Sequence, residues 1–376
     1  MLHVAVDAVG SKNSGGAMVL LDFLDAACKD SEISKLTVFC SPRSVRNFDL
    51  PKSEKIHEYP KPLSERFYVL RVLWYEHFLG LAVTKIGADV LINMSQLGIG
   101  SKTVPHITFI QQPKPFTDEW LIREKLLQRI RLMVHKTLIG RSCSRASAIV
   151  VQNRVIKEKI RESFKVDKEN IEVVTPGPPP LPEVQSTSRK LDRMKACAPG
   201  ARLLYVGSDS PHKNVGVAVE AIKILRREIP EASLFVTWPS NSPDIQEPGI
   251  SRLGFLDRDE LREAYLNANI LILPSLAETV GLPTLEAMSL GIPVLVADRP
   301  YAHDICEDAA LFFDPLSPED CAQKALKLLN SKSLREFLVA KGYDLVKRRL
   351  ASNPYQRMLE IVKNVANGVY KKHNTS

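Results

Sequence analysis

The sequence predicts an α/β fold built of two parallel-sheet halves, on three observations. Short runs rich in Val, Ile and Leu alternate with longer stretches of helical period, the pattern of parallel sheets covered by crossover helices. A proline cluster, T-P-G-P-P-P-L-P-E over residues 175–183, interrupts that alternation near the middle of the chain. Proline there forbids a continuing helix or a central strand. The length, 376 residues, suits two domains of ordinary size.

Taken in order, the first half predicts strands over residues 2–6, 36–40, 89–93, 106–110, 148–151 and 171–175. Gly15-Gly16 follows the first strand and precedes a helix over 17–27. The proline cluster and the polar stretch after it mark a linker at 181–200, so the first domain is set at 1–180. The second domain, 201–350, predicts strands over 202–206, 233–237, 270–274, 293–296 and 311–313. Helices fit between and after them at 215–228, 259–268, 283–290 and 318–330. Ser352-Asn353-Pro354 breaks the chain before a final helix of about 354–370, in a segment set at 351–372.

Hydrophobic residues make up 44% and charged residues 25%, ordinary for a soluble globular chain. No run of 18 apolar residues argues for a spanning helix, and residues 1–10 lack the pattern of a secretory signal. The six cysteines include no C-x-x-C pair, which suits a reducing cytoplasm. The net charge of +8 is compatible with nucleic acid, anionic lipid or a phosphorylated ligand. The histidines form no H-x-x-x-H cluster, and neither G-x-S-x-G nor G-x-x-x-x-G-K-[ST] occurs. Serine-hydrolase and P-loop chemistry therefore lack their motifs.

The most informative stretch is 278–293, E-T-V-G-L-P-T-L-E-A-M-S-L-G-I-P. Pro283 is a good first helical residue, because it needs no N–H and has a preset φ. The free amides of such a helix start suit an anion such as a diphosphate. Gly281 lets backbone approach a ligand. Glu278 and Glu286 flank the helix start, and carboxylates accept hydrogen bonds from sugar hydroxyls.

Other constellations carry less. Residues 203–207 read as a strand ending in glycine, followed by S-D-S-P-H-K-N with Asn214 as the helix cap. Lys213 then stands at the sheet edge where open α/β folds bind ligands, either as a phosphate-neutralising point charge or as a solvated turn residue. Gly15-Gly16 is half of a dinucleotide fingerprint, or a pair of turn glycines. Asp257-Arg258-Asp259 has a metal-binding spacing, but Asp257 with Glu260 also reads as a capping box, the better reading. Residues 121–145 carry seven Lys or Arg and one Glu, with Ile122, Leu126, Ile130 and Met133 at helical spacing. That helix is equally an anionic-membrane contact or an ordinary helix with a solvated basic face. It lacks the interleaved aromatics of a nucleic-acid surface.

These residues resemble retaining GT-B-fold glycosyltransferases of family four. The E-x7-E element from Glu278 to Glu286 looks like the family signature. L-L-Y-V-G at 203–207 with Lys213 resembles its phosphate-binding loop, and L-G-F-L-D at 253–257 its segment near the base. A-A-L-F-F-D-P at 309–315, I-E-V-V-T-P-G at 171–177 and Gly15-Gly16 are similar to further family segments. The resemblance implies two Rossmann-like domains facing across a cleft, acceptor side first and donor side second, with a final helix returning to the N-terminal domain. It implies that Glu286 binds the donor ribose and that Glu278 contacts the donor sugar. Lys213, with the backbone around Gly281 and Leu282, would stabilise the diphosphate leaving group, and Gly15, Gly16, Gly207, Thr279 and Val280 would add donor contacts. Lys213 and Glu278 are thus the expected catalytic pair.

Many relatives carry His-Asp or His-Asn after the strand corresponding to 106–110. Here Gln111-Gln112 stands there, and glutamine is no general base. Gln111 and Gln112 are expected to hydrogen-bond sugar or acceptor, and His106 to be structural. The expected function is sugar transfer from a nucleotide-diphosphate sugar to a glycan or lipid-linked acceptor, in surface polysaccharide or lipopolysaccharide biosynthesis. No metal or other cofactor and no nucleic acid are expected. The expected location is cytoplasmic, on the inner membrane face if 121–145 binds it. An epimerase of the same fold and a non-catalytic nucleotide-sugar-binding protein are the alternatives.

Overall fold

The computed structural model describes residues 1–10, 15–40, 50–60, 68–97, 99, 104–116, 126–184, 188–238 and 247–370. The chain forms two compact units. The described residues of Met1–Phe116, Lys125–Pro176 and Asn353–Ser376 form the first, and those of Gly177–Ser352 the second.

The first unit runs β1 (Leu2–Asp7), α1 (Gly15–Lys29), β2 (Ile33–Cys40), β3 (Ile56–Pro60), α2 (Tyr68–Leu73), α3 (Leu79–Lys85), β4 (Val90–Asn93), β5 (His106–Ile110), α4 (Leu126–Arg145), β6 (Ala148–Val151), α5 (Arg154–Phe164) and β7 (Ile171–Val173). Among the described residues these strands make one parallel sheet in the order β3-β2-β1-β4-β5-β6-β7. β4, β5 and β6 are buried along their whole length, as strands covered on both faces must be. α1 buries Ala17, Val19, Leu20, Phe23, Leu24 and Ala27, one helical stripe facing the sheet.

The second unit runs α6 (Asp192–Ala196), β8 (Arg202–Tyr205), α7 (Val215–Leu225), β9 (Ser233–Val236), β10 (Ile250–Arg252), α8 (Arg258–Asn267), β11 (Ile270–Leu273), α9 (Leu282–Ser289), β12 (Val294–Ala297), α10 (Pro300–Cys306), β13 (Leu311–Phe313), α11 (Pro318–Asn330) and α12 (Lys332–Ala351). Its parallel sheet has the order β10-β9-β8-β11-β12-β13. The described part of the stretch set as a linker at 181–200 belongs to this unit. Leu191 and Met194 are fully buried in its core, because their apolar side chains are taken up between α8 and the sheet rather than left in a solvated connection.

At Asn353 the chain returns to the first unit. The last helix, α13 (Pro354–Ala366), starts on a proline and buries Met358, Leu359, Ile361, Val362 and Val365. Tyr355 donates to Asp22 at 2.8 Å, and Lys363 pairs with Asp30 at 2.8 Å and Glu32 at 2.6 Å. Among the described residues no helix is long and apolar enough to cross a membrane.

Candidate active site in the second unit

Strand order in the second sheet reverses between β8 and β11. Crossovers leave in opposite directions at such a point and open a crevice beyond the carboxyl ends of the strands. Two loops lie there. After β8 the chain passes Gly207, whose N–H donates to Thr237 Oγ1 at 3.0 Å, and makes a short turn over Pro211–Lys213. After β11 it passes Glu278, Thr279 and Val280 into α9. Leu276 N–H donates to the His212 carbonyl at 2.8 Å, which ties the loops together.

Across them, Lys213 Nζ lies 2.5 Å from Glu278 Oε1, with side chains 21% and 12% exposed. Gly281 caps α9 with φ +64°, and a Cβ there would stand 3.2 Å from Leu273 Cδ2. Glycine alone meets both the left-handed backbone and the crowding. The helix starts one residue earlier than Pro283, which occupies its second position and offers no N–H. Thr284 Oγ1 donates back to the Gly281 carbonyl at 2.7 Å.

Glu286 sits one turn into α9 and is only 4% exposed. A charge so buried persists when it is paired and hydrogen-bonded. Its Oε1 accepts from Arg258 Nη1 at 2.9 Å and its Oε2 from the Tyr265 hydroxyl at 2.8 Å. Burial, then the Glu286 charge, push the Tyr265 phenol well above its usual range, so it stays a neutral donor. Burial first and the Glu278 charge second do the same to Tyr205 and Tyr301. Those hydroxyls donate to the carbonyls of Ser208 at 2.6 Å and Ser275 at 2.7 Å, bracing both loops.

The structure corrects one local expectation. Asn214 is left-handed and makes no side-chain cap on α7. Its amide donates instead to the Pro315 carbonyl at 2.8 Å, a partner 101 residues away that outcompetes the local amide. Asp257 and Glu260 do form a reciprocal capping box on α8. Among the described residues no group of three or more His, Cys, Asp and Glu is placed to hold a metal.

Lys213, Gly207, Glu278, Thr279, Val280, Gly281, Leu282 and Glu286 thus belong to one pair of loops in the second unit. Gly15, Gly16, Gln111 and Gln112 belong to the first. Gly15 and Gly16 are the opening residues of α1. Gln111 and Gln112 follow β5, and Gln112 N–H donates to Gln96 Oε1 at 3.3 Å. His106 is buried in β5, and burial pushes its imidazole down to about 4. Residues 121–125 of the basic stretch lie outside the described residues. In α4, Leu126, Leu127, Ile130 and Met133 are 71%, 81%, 49% and 67% exposed. Arg258 and Tyr265 escaped the sequence reading, because one lies inside a capping motif and the other looks like a core aromatic. Their helical spacing with Arg262, which puts two arginines on the face that carries Tyr265, was the available signal.

Fold and site together define a class. Residues 200–331, within the second unit, match the family model of Glycosyl transferases group 1, and the two parallel sheets have the GT-B fold. The chain is 29% identical over 150 residues to the O-antigen chain mannosyltransferase B of Escherichia coli, covering 37% of this chain and 39% of that protein. It therefore spans about two fifths of the length of this curated relative. The solved structure of WaaG, a glycosyltransferase involved in lipopolysaccharide biosynthesis, superposes with a TM-score of 0.73 at 16% identity, over 96% of this chain and 99% of the other. Anabaena HepE in complex with UDP and glucose superposes with a TM-score of 0.68 at 15% identity, over 96% of this chain and 100% of the other.

Proposed function

We propose that this protein is a retaining glycosyltransferase. It would move a sugar from a nucleoside diphosphate sugar to a glycan or lipid-linked acceptor in surface polysaccharide or lipopolysaccharide assembly. The observation that carries the reading is the 2.5 Å Lys213–Glu278 pair beside the start of α9, with the buried Glu286 one turn further on. The family match over 200–331, the O-antigen relative and the UDP bound by a protein of the same fold support it.

In this mechanism Glu286 accepts the ribose hydroxyls and Glu278 orients the donor sugar. Lys213 and the amides about Gly281 and Leu282 meet the negative charge that develops as the C1–O bond to the diphosphate breaks. The acceptor oxygen bonds C1 on the same face, and its proton passes to the departing phosphate oxygen. A fixed ammonium and fixed amides supply this stabilisation without a metal. Gln111 and Gln112 contribute hydrogen bonds to sugar or acceptor, so their part is positioning rather than proton transfer. The exposed apolar residues of α4, interleaved with the exposed Arg129 and Arg131, make an anionic lipid surface the occupant of that helix. The protein would then work peripherally at the inner face of the membrane, in the cytoplasm.

The test is a thermal-shift panel of UDP, GDP, dTDP and their sugars. A true ligand at about 100 times its dissociation constant adds about 2.7 kcal/mol of stability. A panel without any shift removes the reading.

A further inference from the structure

Helix α8 presents Arg258, Arg262 and Tyr265 at positions i, i+4 and i+7, along one face. Two of these side chains close on Glu286, one on each carboxylate oxygen. Arg258 does a second thing. Its Nη2 donates to the carbonyls of Pro179 at 3.0 Å and Pro180 at 2.7 Å. Three consecutive prolines, 178–180, have no N–H to donate and cannot form a regular ladder, and two of their carbonyls accept from this guanidinium instead. A planar guanidinium with five donors in a fixed fork serves the carboxylate and the carbonyls at once, which a lysine ammonium does less well. Arg258 is 30% exposed at its side chain and Glu286 5%, so the bond between them is shielded from solvent on the carboxylate side.

We propose that Arg258 is a positioning residue for the nucleotide, acting with Tyr265 to set the plane of the Glu286 carboxylate. The proposal rests on the reading of Glu286 as the ribose ligand. A carboxylate offers roughly four acceptor positions. Arg258 occupies one on Oε1 and Tyr265 one on Oε2, which leaves acceptor capacity on both oxygens. Two acceptors a carboxylate's width apart fit the vicinal cis-hydroxyls of a ribose and not a single hydroxyl. The donor selected this way is a ribonucleoside diphosphate, and its deoxy counterpart loses one of the two bonds. Without the arginine the carboxylate turns about its last torsion, and the second bond is lost even when the diol is present.

The experiment is calorimetric binding of UDP, GDP and their 2′-deoxy counterparts to the wild type and to Arg258→Gln, Arg258→Lys, Arg262→Gln, Tyr265→Phe and Glu286→Gln. In Arg258→Gln the nucleotide that the wild type prefers is expected to lose about tenfold in affinity, and its deoxy counterpart less than about twofold. The ribose preference therefore shrinks. Arg258→Lys regains part of it, and Arg262→Gln, whose side chain donates to the Leu181 carbonyl at 3.5 Å rather than to Glu286, keeps it. Equal losses for ribose and deoxyribose forms would mean that Arg258 only supports the fold, and the proposal fails. An unchanged preference in Arg258→Gln, where Glu286→Gln abolishes it, overturns the proposal alone. A wild type that binds none of the four, or binds them without ribose preference, overturns the reading of Glu286 beneath it as well. Should Arg258→Gln not fold, Tyr265→Phe decides. It removes a single oxygen, and a full ribose preference in that variant also overturns the proposal.

Discussion

Glu278 and Glu286 lie eight positions apart in the chain, yet the fold gives them different partners. Glu278 meets a lysine at the mouth of the loops, while Glu286 is buried against Arg258 and Tyr265. Different partners predict different defects. Glu286→Ala removes charge-assisted hydrogen bonds worth about 1.5–3 kcal/mol, which lowers nucleotide affinity by roughly ten- to a hundredfold. Glu278→Ala lowers kcat and leaves nucleotide affinity nearly unchanged. Calorimetry beside steady-state kinetics separates the two, and unchanged behaviour in both variants would mean that the site lies elsewhere. At this scale the sequence showed the residue types and the helix start, because Gly281 and Pro283 carry local backbone rules. It did not show that Asn214 would leave its helix for Pro315, or that Arg258 would reach Pro179, because both partners come from distant chain.

Among elements, the interior strands and the edge strands β7 and β13 were legible, and the edge strands β3 and β10 were not. β3 and β10 are terminal strands of their sheets, with sequences I-H-E-Y-P and I-S-R. Neither sequence carries an apolar run, whereas the edge strand β7 continues in V-V and β13 opens on L-F-F. α12 also escaped the reading. Its Gly342 lets Met288 of α9 come within 3.1 Å of where a Cβ would stand, so α12 packs closely behind the helix that carries Glu286. The helix α4 supplies a prediction of its own. Its exposed Leu127 and Met133 contribute nothing to the core, so Leu127→Glu with Met133→Glu leaves the melting temperature within a degree or so. The same pair of changes abolishes retention on vesicles containing anionic lipid, where the wild type is retained at moderate salt. A wild type that fails to bind such vesicles refutes the membrane assignment.

For the molecule as a whole, three buried groups of the first unit tie stability to pH. Burial pushes His106 and His135 down to about 4 and pushes Asp7 up to about 6. The depressed histidines contribute stability that is present above 6.5 and lost as pH falls toward 4. Asp7 has the opposite sign: its contribution is full below 3.8 and lost as pH rises through 6. At these three groups, between about pH 4 and 6 the unfolded chain binds two protons that the folded chain lacks, and the folded chain keeps one that the unfolded chain lacks; His3, also lowered chiefly by burial, adds in the same direction as the other histidines. Stability therefore rises with pH, by about 1.4 kcal/mol per unit for the net proton. Urea unfolding followed across that window checks the slope. His106→Gln flattens it, and Asp7→Asn steepens it and raises stability at neutral pH.

By itself the sequence determined the α/β class, the interior strands, the short loop at 278–282 and the family it resembles. All of these rest on local rules: strand and helix periods, proline and glycine geometry, and a motif confined to a few residues. The tertiary structure alone decided where the sheets end, which unit holds the stretch after the proline cluster, and what holds Glu286. Those depend on which surfaces remain to be buried and which carbonyls remain to be satisfied once the sheets are packed, and no window of neighbouring residues contains that information.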